Sequence, residues 1–211
     1  GCPYSISDYR AVNPEYGTME DFKELVSAIH EKGMKCMIDV VYNHTSHESV
    51  LSKEHPEFFY KKPDGRFGNK VGDWTDVIDL DYTNKDLWDY QLETLKMWAK
   101  IVDGFRCDVA SLVPIEFWNR ARKEVAEVNP DCLWLAESVE YGLIKYARDT
   151  GFNCLSDSEL YQAFDILYDY DVYPKYLAYV DGEIPLSEYI NALNQQEYIY
   201  PENYIKLRCL E

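Results

Sequence analysis

The sequence has little positive charge: its 211 residues carry 21 Lys and Arg against 38 Asp and Glu, a formal net charge of −17. No run of Lys and Arg forms a basic stripe, which argues against nucleic acid and anionic membranes as partners. No apolar stretch reaches the roughly 18 residues of a membrane-spanning helix. The first ten residues, GCPYSISDYR, lack a basic segment followed by an apolar run, so no signal peptide is visible.

Two kinds of motif are also missing. None of the six cysteines lies in a C-x-x-C pair, which argues against a structural zinc site. Five of the six fall in predicted strands, so we interpret them as small buried side chains in a reducing compartment and expect a cytoplasmic protein. No Gly-rich turn follows a predicted strand, which argues against dinucleotide binding.

The residues that are present suffice for one sizeable core, since 46% of them are hydrophobic. Aromatic side chains make up 15%, including 19 Tyr. Sugar sites often use aromatic faces, but core packing explains most aromatic residues in most proteins, so composition alone does not identify a ligand.

Helix and strand patterns alternate about five times along the chain. The first pair is a helix over 17–34, capped by Thr18 with Asp21 three residues on, and an apolar strand over 34–41. Later helices are predicted at 85–100, 114–128, 140–150 and 185–197, and later strands at 102–110, 132–138, 153–157 and 203–211. This order predicts βαβ units around a parallel sheet, either doubly wound or closed as a (β/α)8 barrel.

Residues 45–80 break this alternation and are called the lobe below. They show no convincing helix, and they far exceed the ~2–6 residues of an ordinary βα loop, so we predict an inserted domain. The remaining domain then comprises 1–44 and 81–211. A second long excursion, acidic and rich in Tyr, covers 160–183. Long loops at the carboxyl ends of strands are where such sheets build binding sites.

Polar side chains stand at the ends of four predicted strands. In a parallel sheet these ends lie on one edge, so we expect the side chains to converge on one cleft. They are Asp39, Asn43 and His44 on the first strand, Arg106 and Asp108 on the second, Glu137 on the third, and Glu211 on the last.

The pair of Asp108 and Glu137 is the most informative. Carboxylates on neighbouring strand ends can lie ~5–5.5 Å apart, which suits a retaining glycosidase with one ionised nucleophile and one protonated acid. Arg106, two residues before Asp108, points to the same side of the strand, and its charge would hold Asp108 ionised. Asp39 is flanked by apolar residues and expected to be buried, with Arg106 as its partner.

Each of these features has a purely structural alternative. An Arg-x-Asp on a strand can be an ion pair, a strand-end Glu can cap a helix, and His44 can be a satisfied polar group. Their joint occurrence on consecutive strand ends favours a catalytic site.

Five segments resemble the alpha-amylase family, glycoside hydrolase family 13. The stretches DVVYNH (39–44), GFRCDVAS (104–111) and LWLAESVE (133–140) resemble its first three motifs, in the same order and with matching spacing. Residues 1–26 resemble the segment after the second barrel strand, and VIDLDYTN (77–84) resembles the motif that ends the family's inserted domain B.

The resemblance implies a (β/α)8 TIM barrel, of which about strands 3 to 7 are present, with the lobe as a short domain B. It implies cleavage of α-glucosidic bonds in maltooligosaccharides or related α-glucans, with retention and by double displacement. Asp108 would be the nucleophile, Glu137 the general acid and base, and Arg106 would orient Asp108.

The resemblance also implies a substrate-binding set. His44 would bind the sugar in the cleaved position, Tyr4 would be the aromatic platform under that sugar, and Asp39 would be the structural partner of the first motif. Asn43 matches a calcium ligand of many members. However, Leu112 stands where calcium-binding amylases have a His, and the lobe has no evident ligand cluster, so calcium is doubtful.

Two further departures concern substrate and completeness. Ser111 replaces a Lys common in starch-cleaving members, which favours oligosaccharide-cleaving or transferring relatives. The sequence stops at Glu211, where the family's fourth motif would begin. We therefore expect a chain truncated at both ends and, without the third carboxylate, inactive by itself.

Two other classes of protein stay open. A non-catalytic sugar-binding or scaffolding relative would tend to lose the carboxylates, whereas Asp108, Glu137 and Arg106 are all present. A barrel enzyme acting on phosphorylated or metal-bound substrates is disfavoured by the absence of a Gly-rich phosphate loop and of a His/Asp cluster. The residues do not distinguish hydrolysis from glycosyl transfer, or α-1,4 from α-1,6 bonds.

Overall fold

The computed structural model describes residues 5–71 and 74–208. Its strands are Met37–Val40 (β1), His44–Ser46 (β2), Val77–Asp79 (β3), Gly104–Cys107 (β4), Leu133–Ala136 (β5), Ile166–Tyr168 (β6) and Ile205–Leu207 (β7). Its α-helices are Met19–Glu31 (α1), Val50–Glu54 (α2), Lys85–Ala99 (α3), Ile115–Ala126 (α4), Tyr141–Asp149 (α5), Asp157–Leu160 (α6), Tyr173–Val180 (α7) and Leu186–Ile199 (α8). Within these two ranges, no helix is both long and apolar enough to cross a membrane.

Five strands form one parallel sheet in the order β1-β4-β5-β6-β7, as the βαβ pattern predicts. The other two, β2 and β3, pair antiparallel at the base of the lobe. Helices connect the parallel strands, so the carboxyl ends of β1, β4, β5 and β6 meet at one edge of the sheet.

The strand register determines which side chains share the face of the sheet that carries Arg106. Asp39 pairs with Arg106, Arg106 with Leu135, and Leu135 with Ile166. Paired residues of parallel strands face the same way, so these four side chains share a face, and Tyr168 joins them two residues after Ile166. The opposite face packs against the helices.

An aromatic cluster fixes the helices on that opposite face. Trp118 of α4 is fully buried, and its ring contacts those of Trp134 on β5 and Phe164 just before β6 at 6.4 and 5.2 Å between centres. Phe105 on β4 contacts Trp134 at 5.3 Å. Such pairs contribute ~0.5–1.5 kcal/mol each beyond the area they bury, and here they hold β4, β5 and β6 at fixed positions.

The first helix begins as its sequence predicts. The Thr18 hydroxyl accepts the N–H of Asp21, and the Asp21 carboxylate accepts the N–H of Thr18, which forms a capping box. The helix ends before Gly33, whose φ of 73° lies in the left-handed region that glycine adopts most easily.

The strand predicted at 153–157 is wrong. Leu155 there is buried and donates its N–H to the Ser111 carbonyl, but the segment pairs with no described strand. The strand beside β5 is β6, which lies inside the Tyr-rich excursion at 160–183. Only three residues form β6, and just one of them, Leu167, is fully buried. The apolar run at Cys154–Leu155, both buried, therefore looked more like a strand in the sequence than β6 did.

The lobe and the excursion contain more helix than predicted. In the lobe, the Ser49 hydroxyl accepts the N–H of Ser52 and caps the short α2. In the excursion, α7 begins with Pro174 in its first turn. The division into a sheet domain (1–44, 81–211) and an inserted domain stays a prediction.

The described cysteines are all unpaired. Cys107, Cys132 and Cys154 are buried and Cys36 is partly buried, as expected for small apolar side chains, although only Cys107 lies within a strand. Cys2 and Cys209 lie outside the described residues.

We predict that Gly104→Ala destabilises the sheet. A Cβ at Gly104 would lie 2.7 Å from the Leu133 carbonyl oxygen and 3.0 Å from the Met37 Cε atom. Because the carbonyl belongs to the paired strand and cannot move freely, we expect the free energy of unfolding to fall by about 1–3 kcal/mol in urea. Gly142→Ala in α5 is the control: nothing lies within 4 Å of its added Cβ, so stability should be unchanged or rise by up to about 1 kcal/mol. Equal losses in the two variants would contradict the prediction.

Candidate active site

The structure brings four of the predicted site residues together at the carboxyl edge of the sheet. Asp39 lies on β1 and Arg106 on β4, while Asp108 is the first residue after β4 and Glu137 the first after β5. Ion pairs with Arg106 join the three carboxylates. Hydrogen bonds between neighbouring strands continue one residue past the strand ends and fix the backbone there. The Asp108 N–H donates to the Val40 carbonyl, and the Glu137 N–H donates to the Cys107 carbonyl. Tyr4, the predicted aromatic platform, and Glu211 lie outside the described residues.

One guanidinium contacts every carboxylate of the cluster. Arg106 Nη1 donates to Asp108 Oδ1 at 2.7 Å and to both Asp39 oxygens at 3.0 Å. Its Nη2 atom lies 3.0 Å from Glu137 Oε2. The side chains of Arg106, Asp108 and Glu137 are each about one-fifth exposed, at 19, 21 and 18%. The cation therefore acts on both candidate catalytic groups where water screens little of its charge.

Asp39 has the predicted partner but not the predicted burial. Its side chain is 54% exposed, although it was expected inside. Within the described part of the chain, β1 is an edge of the sheet, and only β4 pairs with it. Its contact within the cluster is the pair of hydrogen bonds from Arg106.

Glu137 is suited to hold a proton. Burial raises the pKa of its carboxyl, and the neighbouring charge of Asp108 raises it further, while the N–H of Val109 and the guanidinium of Arg106 lower it. The Val109 N–H donates to Glu137 Oε2 at 2.8 Å, so the carboxyl is fixed in place from the strand that carries Asp108. A general acid needs this combination of a raised pKa and a fixed orientation.

Val109, immediately after Asp108, has a strained backbone. Its φ of 35° and ψ of 46° are left-handed, a conformation that β-branched residues rarely adopt and that costs on the order of 1–3 kcal/mol. Two hydrogen bonds to Glu137 maintain it: one from the Val109 N–H to the carboxylate, and one from the Ala110 N–H to the main-chain carbonyl. The left-handed turn thus directs the chain after Asp108, the candidate nucleophile, toward Glu137.

His44 faces a cavity of about 320 Å³ between the lobe and the sheet edge. It is 7% exposed, and its ring centre lies 5.8 Å from that of Trp74 in the lobe. The cavity is lined by His44, Trp74, Asp76, Val77, Asp108, Val109 and Glu137. A second cavity of about 340 Å³ lies on the other side of Glu137, under the start of α7.

Asn43, the candidate calcium ligand, lies beside a buried carboxylate at the base of the lobe. Asn43 and Asp79 are buried, and the Asn43 amide nitrogen lies 3.4 Å from Asp79 Oδ1. The other Asp79 oxygen accepts the main-chain N–H of Lys70 at 2.7 Å, and the Lys70 ammonium donates to the Leu80 carbonyl at 2.7 Å. Among residues 5–71 and 74–208, no three His, Cys, Asp or Glu side chains converge in a way that could hold a metal ion.

Lys70 therefore supplies the positive charge beside Asp79. Burial raises the pKa of Asp79 to about 6, and the N–H and the charge of Lys70 oppose that rise. Burial also lowers the pKa of the Lys70 ammonium, while the charges of Asp79 and Asp81 raise it.

Three residues near the site were missed in the sequence: Trp74, Lys70 and Tyr168. Trp74 and Lys70 belong to the lobe, where no periodic pattern assigns a direction to a side chain. Tyr168 ends the strand that was predicted in the wrong place. A strand assigned to residues 166–168 would have placed its hydroxyl at the same edge as Asp108.

Comparisons with known proteins agree on one family. A family model described as the alpha-amylase catalytic domain matches residues 2–70. The chain has 55% sequence identity to an alpha-amylase from Lactobacillus plantarum whose crystal structure is known. The two structures superpose with a TM-score of 0.96 over 99% of this chain and 50% of that one. It is 40% identical to a maltogenic alpha-amylase, AmyB, from Thermotoga neapolitana, with a TM-score of 0.84 over 99% and 46%.

A curated relative, Alpha-amylase 3 from Dictyoglomus thermophilum, is 30% identical over 176 residues, which cover 69% of this chain and 35% of the relative. The chain thus spans about half the length of the solved relatives and about a third of this curated one. The five-stranded sheet with its helices is the corresponding part of a (β/α)8 barrel.

We predict that Arg106→Met destabilises the chain in a pH-dependent way. Arg106 lowers the pKa of Glu137, so its removal raises that pKa further above the unfolded value. A raised folded pKa means that stability is lost as pH rises, so the deficit should be full at pH 7 and should shrink as pH falls toward about 4. At pH 7 we expect a loss of about 2–3 kcal/mol in urea unfolding, below the ~3–5 kcal/mol of a fully buried pair.

Arg120→Met is the control for this experiment. Arg120 also binds two carboxylates, Asp89 and Glu124, but its side chain is 42% exposed. Its removal should cost less than about 1 kcal/mol, with little dependence on pH. A pH-independent loss in Arg106→Met would mean that the variant loses packing rather than charge.

Proposed function

Because the chain belongs to the alpha-amylase family of glycoside hydrolases, we propose that it supplies the nucleophile and the acid–base of a retaining enzyme that cleaves α-glucosidic bonds in maltooligosaccharides or related α-glucans. The observation that carries the proposal is the guanidinium shared by Asp108 and Glu137 at one edge of the sheet. The 340 and 320 Å³ cavities on the two sides of Glu137 leave room for sugar on either side of the cleaved bond.

The first step forms a covalent intermediate. An Asp108 carboxylate oxygen attacks the anomeric carbon, and the bond from that carbon to the leaving oxygen breaks. Glu137 gives its proton to the leaving oxygen and becomes a carboxylate. The raised pKa of Glu137 supports its role as the proton donor.

The second step restores the enzyme. The Glu137 carboxylate takes a proton from water or from a sugar hydroxyl, whose oxygen then attacks the anomeric carbon and releases Asp108. Two displacements on the same carbon give overall retention. Arg106 stays charged throughout and stabilises whichever of the two groups is ionised.

The proposed nucleophile is tested by substitution and by covalent trapping in the complete gene product. Asp108→Asn should lower kcat for a maltooligosaccharide by about 10³-fold or more, because an amide cannot form the ester intermediate. An activated fluoro-maltoside should add to Asp108, as read by mass spectrometry of the labelled peptide. Asp89→Asn, which changes an exposed carboxylate on α3, is the control and should keep wild-type turnover.

The 211 residues alone should show no turnover in the same assay, since we propose that a third carboxylate is needed. Labelling of another residue, or turnover by Asp108→Asn, would reject the assignment. Turnover by the 211 residues alone would reject the need for the third carboxylate.

We also propose that the lobe is joined to the sheet without calcium. The support is the Lys70 ammonium, which acts on the buried Asp79 beside Asn43, where a metal ion would otherwise balance the carboxylate. His44, one residue after Asn43, lines the cavity, so this junction also sets the position of a proposed sugar-binding residue.

EDTA should leave the thermal unfolding midpoint and the turnover of the complete gene product unchanged. Lys70→Met should lower the free energy of unfolding by about 1–3 kcal/mol, because the Leu80 carbonyl and Asp79 lose their positive partner. Lys53→Met in α2 removes an exposed lysine of the same lobe and should have little effect. A midpoint that falls with EDTA and returns with added calcium would contradict the proposal.

A further inference from the structure

Tyr168 reaches the catalytic cluster from a strand that contributes no carboxylate to it. It is the last residue of β6, on the same face of the sheet as Arg106 and Leu135. Two strand spacings, about 9.6 Å, separate β4 from β6, and the long side chains of Arg106 and Tyr168 together span that distance.

The Tyr168 hydroxyl accepts a hydrogen bond from the Nε–H of Arg106 at 3.3 Å. The centre of the same guanidinium lies 5.5 Å from the centre of the Tyr168 ring. Tyr168 thus binds the Nε edge of the guanidinium, where no carboxylate of residues 5–71 or 74–208 forms an ion pair, while the two Nη atoms contact Asp39, Asp108 and Glu137.

We infer that Tyr168 is a positioning residue that fixes the rotation of the Arg106 guanidinium, so that a single cation contacts both Asp108 and Glu137. The inference rests on the proposed function, since it assigns Tyr168 a part in the same reaction.

Asp39 competes with the two less exposed carboxylates for the Arg106 guanidinium. Asp39 presents both of its oxygens to Nη1 and is the most exposed of the three carboxylates, so it can follow the arginine as it moves. Holding a long arginine in one rotamer costs up to about 2 kcal/mol of side-chain entropy. The bond at Nε opposes rotation toward Asp39, because that rotation would carry Nε away from the Tyr168 hydroxyl.

Tyr168 is itself held from the strand that carries Glu137. The Ser138 hydroxyl donates to the Tyr168 carbonyl at 3.1 Å, and Ser138 is 1% exposed. The Tyr168 ring also packs edge-on against Tyr170 at 5.5 Å. Ser138, the residue after Glu137, therefore links the position of Tyr168 to that of the proposed acid–base.

The electrostatics of Arg106 agree with this arrangement. Burial lowers the pKa of the guanidinium, but the hydrogen bond with Tyr168 and the charges of Glu137 and Asp39 outweigh burial and raise it. The charged or titratable groups that face Arg106 are Asp39 on β1, Asp108 after β4, Glu137 after β5 and Tyr168 on β6. On the other side of β6, Lys206 of β7 lies 3.4 Å from the Tyr168 carbonyl.

Tyr168→Phe in the complete gene product tests the inference. We expect kcat to fall about 10- to 100-fold with KM nearly unchanged, the size of effect that a small misplacement of a catalytic group produces. The alkaline limb of the pH profile of kcat/KM should move to higher pH, because Glu137 loses part of the contact with Arg106 that lowers its pKa. A purely structural role would lower stability and leave the pH profile in place.

Two matched variants make the test specific. Tyr161→Phe removes a hydroxyl that donates to the Ile205 carbonyl of the same sheet without contacting Arg106, and its pH profile should match the wild type. In an Arg106→Lys background, which lacks the Nε–H, Tyr168→Phe should have no further effect on kcat. Equal effects of Tyr168→Phe in both backgrounds would overturn the inference.

A readout that does not depend on turnover separates this inference from the proposed function. The Arg106 Nε–H should exchange slowly with solvent in ¹⁵N NMR of the wild type and rapidly in Tyr168→Phe. Slow exchange in a protein without glycosidase activity would reject the function and keep the contact. An active wild type with identical Arg106 exchange in both proteins would reject the inference and keep the function.

Discussion

The bonds from Arg106 to three carboxylates are the constraint on which the site depends. In a chain with a net charge of −17, placing Asp39, Asp108 and Glu137 at one sheet edge is favourable only if a cation lies among them. The parallel register supplies that cation at the right place, since Asp39 stands opposite Arg106 and Glu137 follows the strand paired on its other side. The pairing of β1, β4 and β5 therefore also determines which carboxylates Arg106 contacts.

The part of this arrangement that could be predicted from the sequence is the part encoded locally. The strands β1, β4 and β5 have apolar runs that end in polar residues, so the convergence of Arg106, Asp108 and Glu137 followed from the parallel topology. The strand β6 did not follow, because three residues with one buried side chain carry little periodic signal. Because β6 was not predicted, Tyr168 at its end was not recognised as a site residue.

The exposure of Asp39 and the charge partner of Asp79 depend on contacts that the local sequence pattern does not encode. The exposure of Asp39 depends on which strands flank β1, and its apolar neighbours in sequence gave the opposite expectation. The Lys70 N–H binds Asp79, which lies nine positions later at the end of β3, and no periodic pattern in the sequence pairs these two residues. Resemblance to family motifs indicated Asn43 as a ligand, and only the side chains around it show that an ammonium lies in that neighbourhood.

The left-handed turn at Val109 makes the two proposed catalytic carboxylates interdependent. The strained conformation persists because its N–H finds an acceptor on Glu137, and that acceptor is in place only when β5 has paired with β4. If β5 moved away, the N–H groups of Val109 and Ala110 would lose their acceptors on Glu137, and with them the bonds that maintain the left-handed turn. Pairing of β5 with β4 therefore links the backbone conformation just after Asp108 to the presence of Glu137.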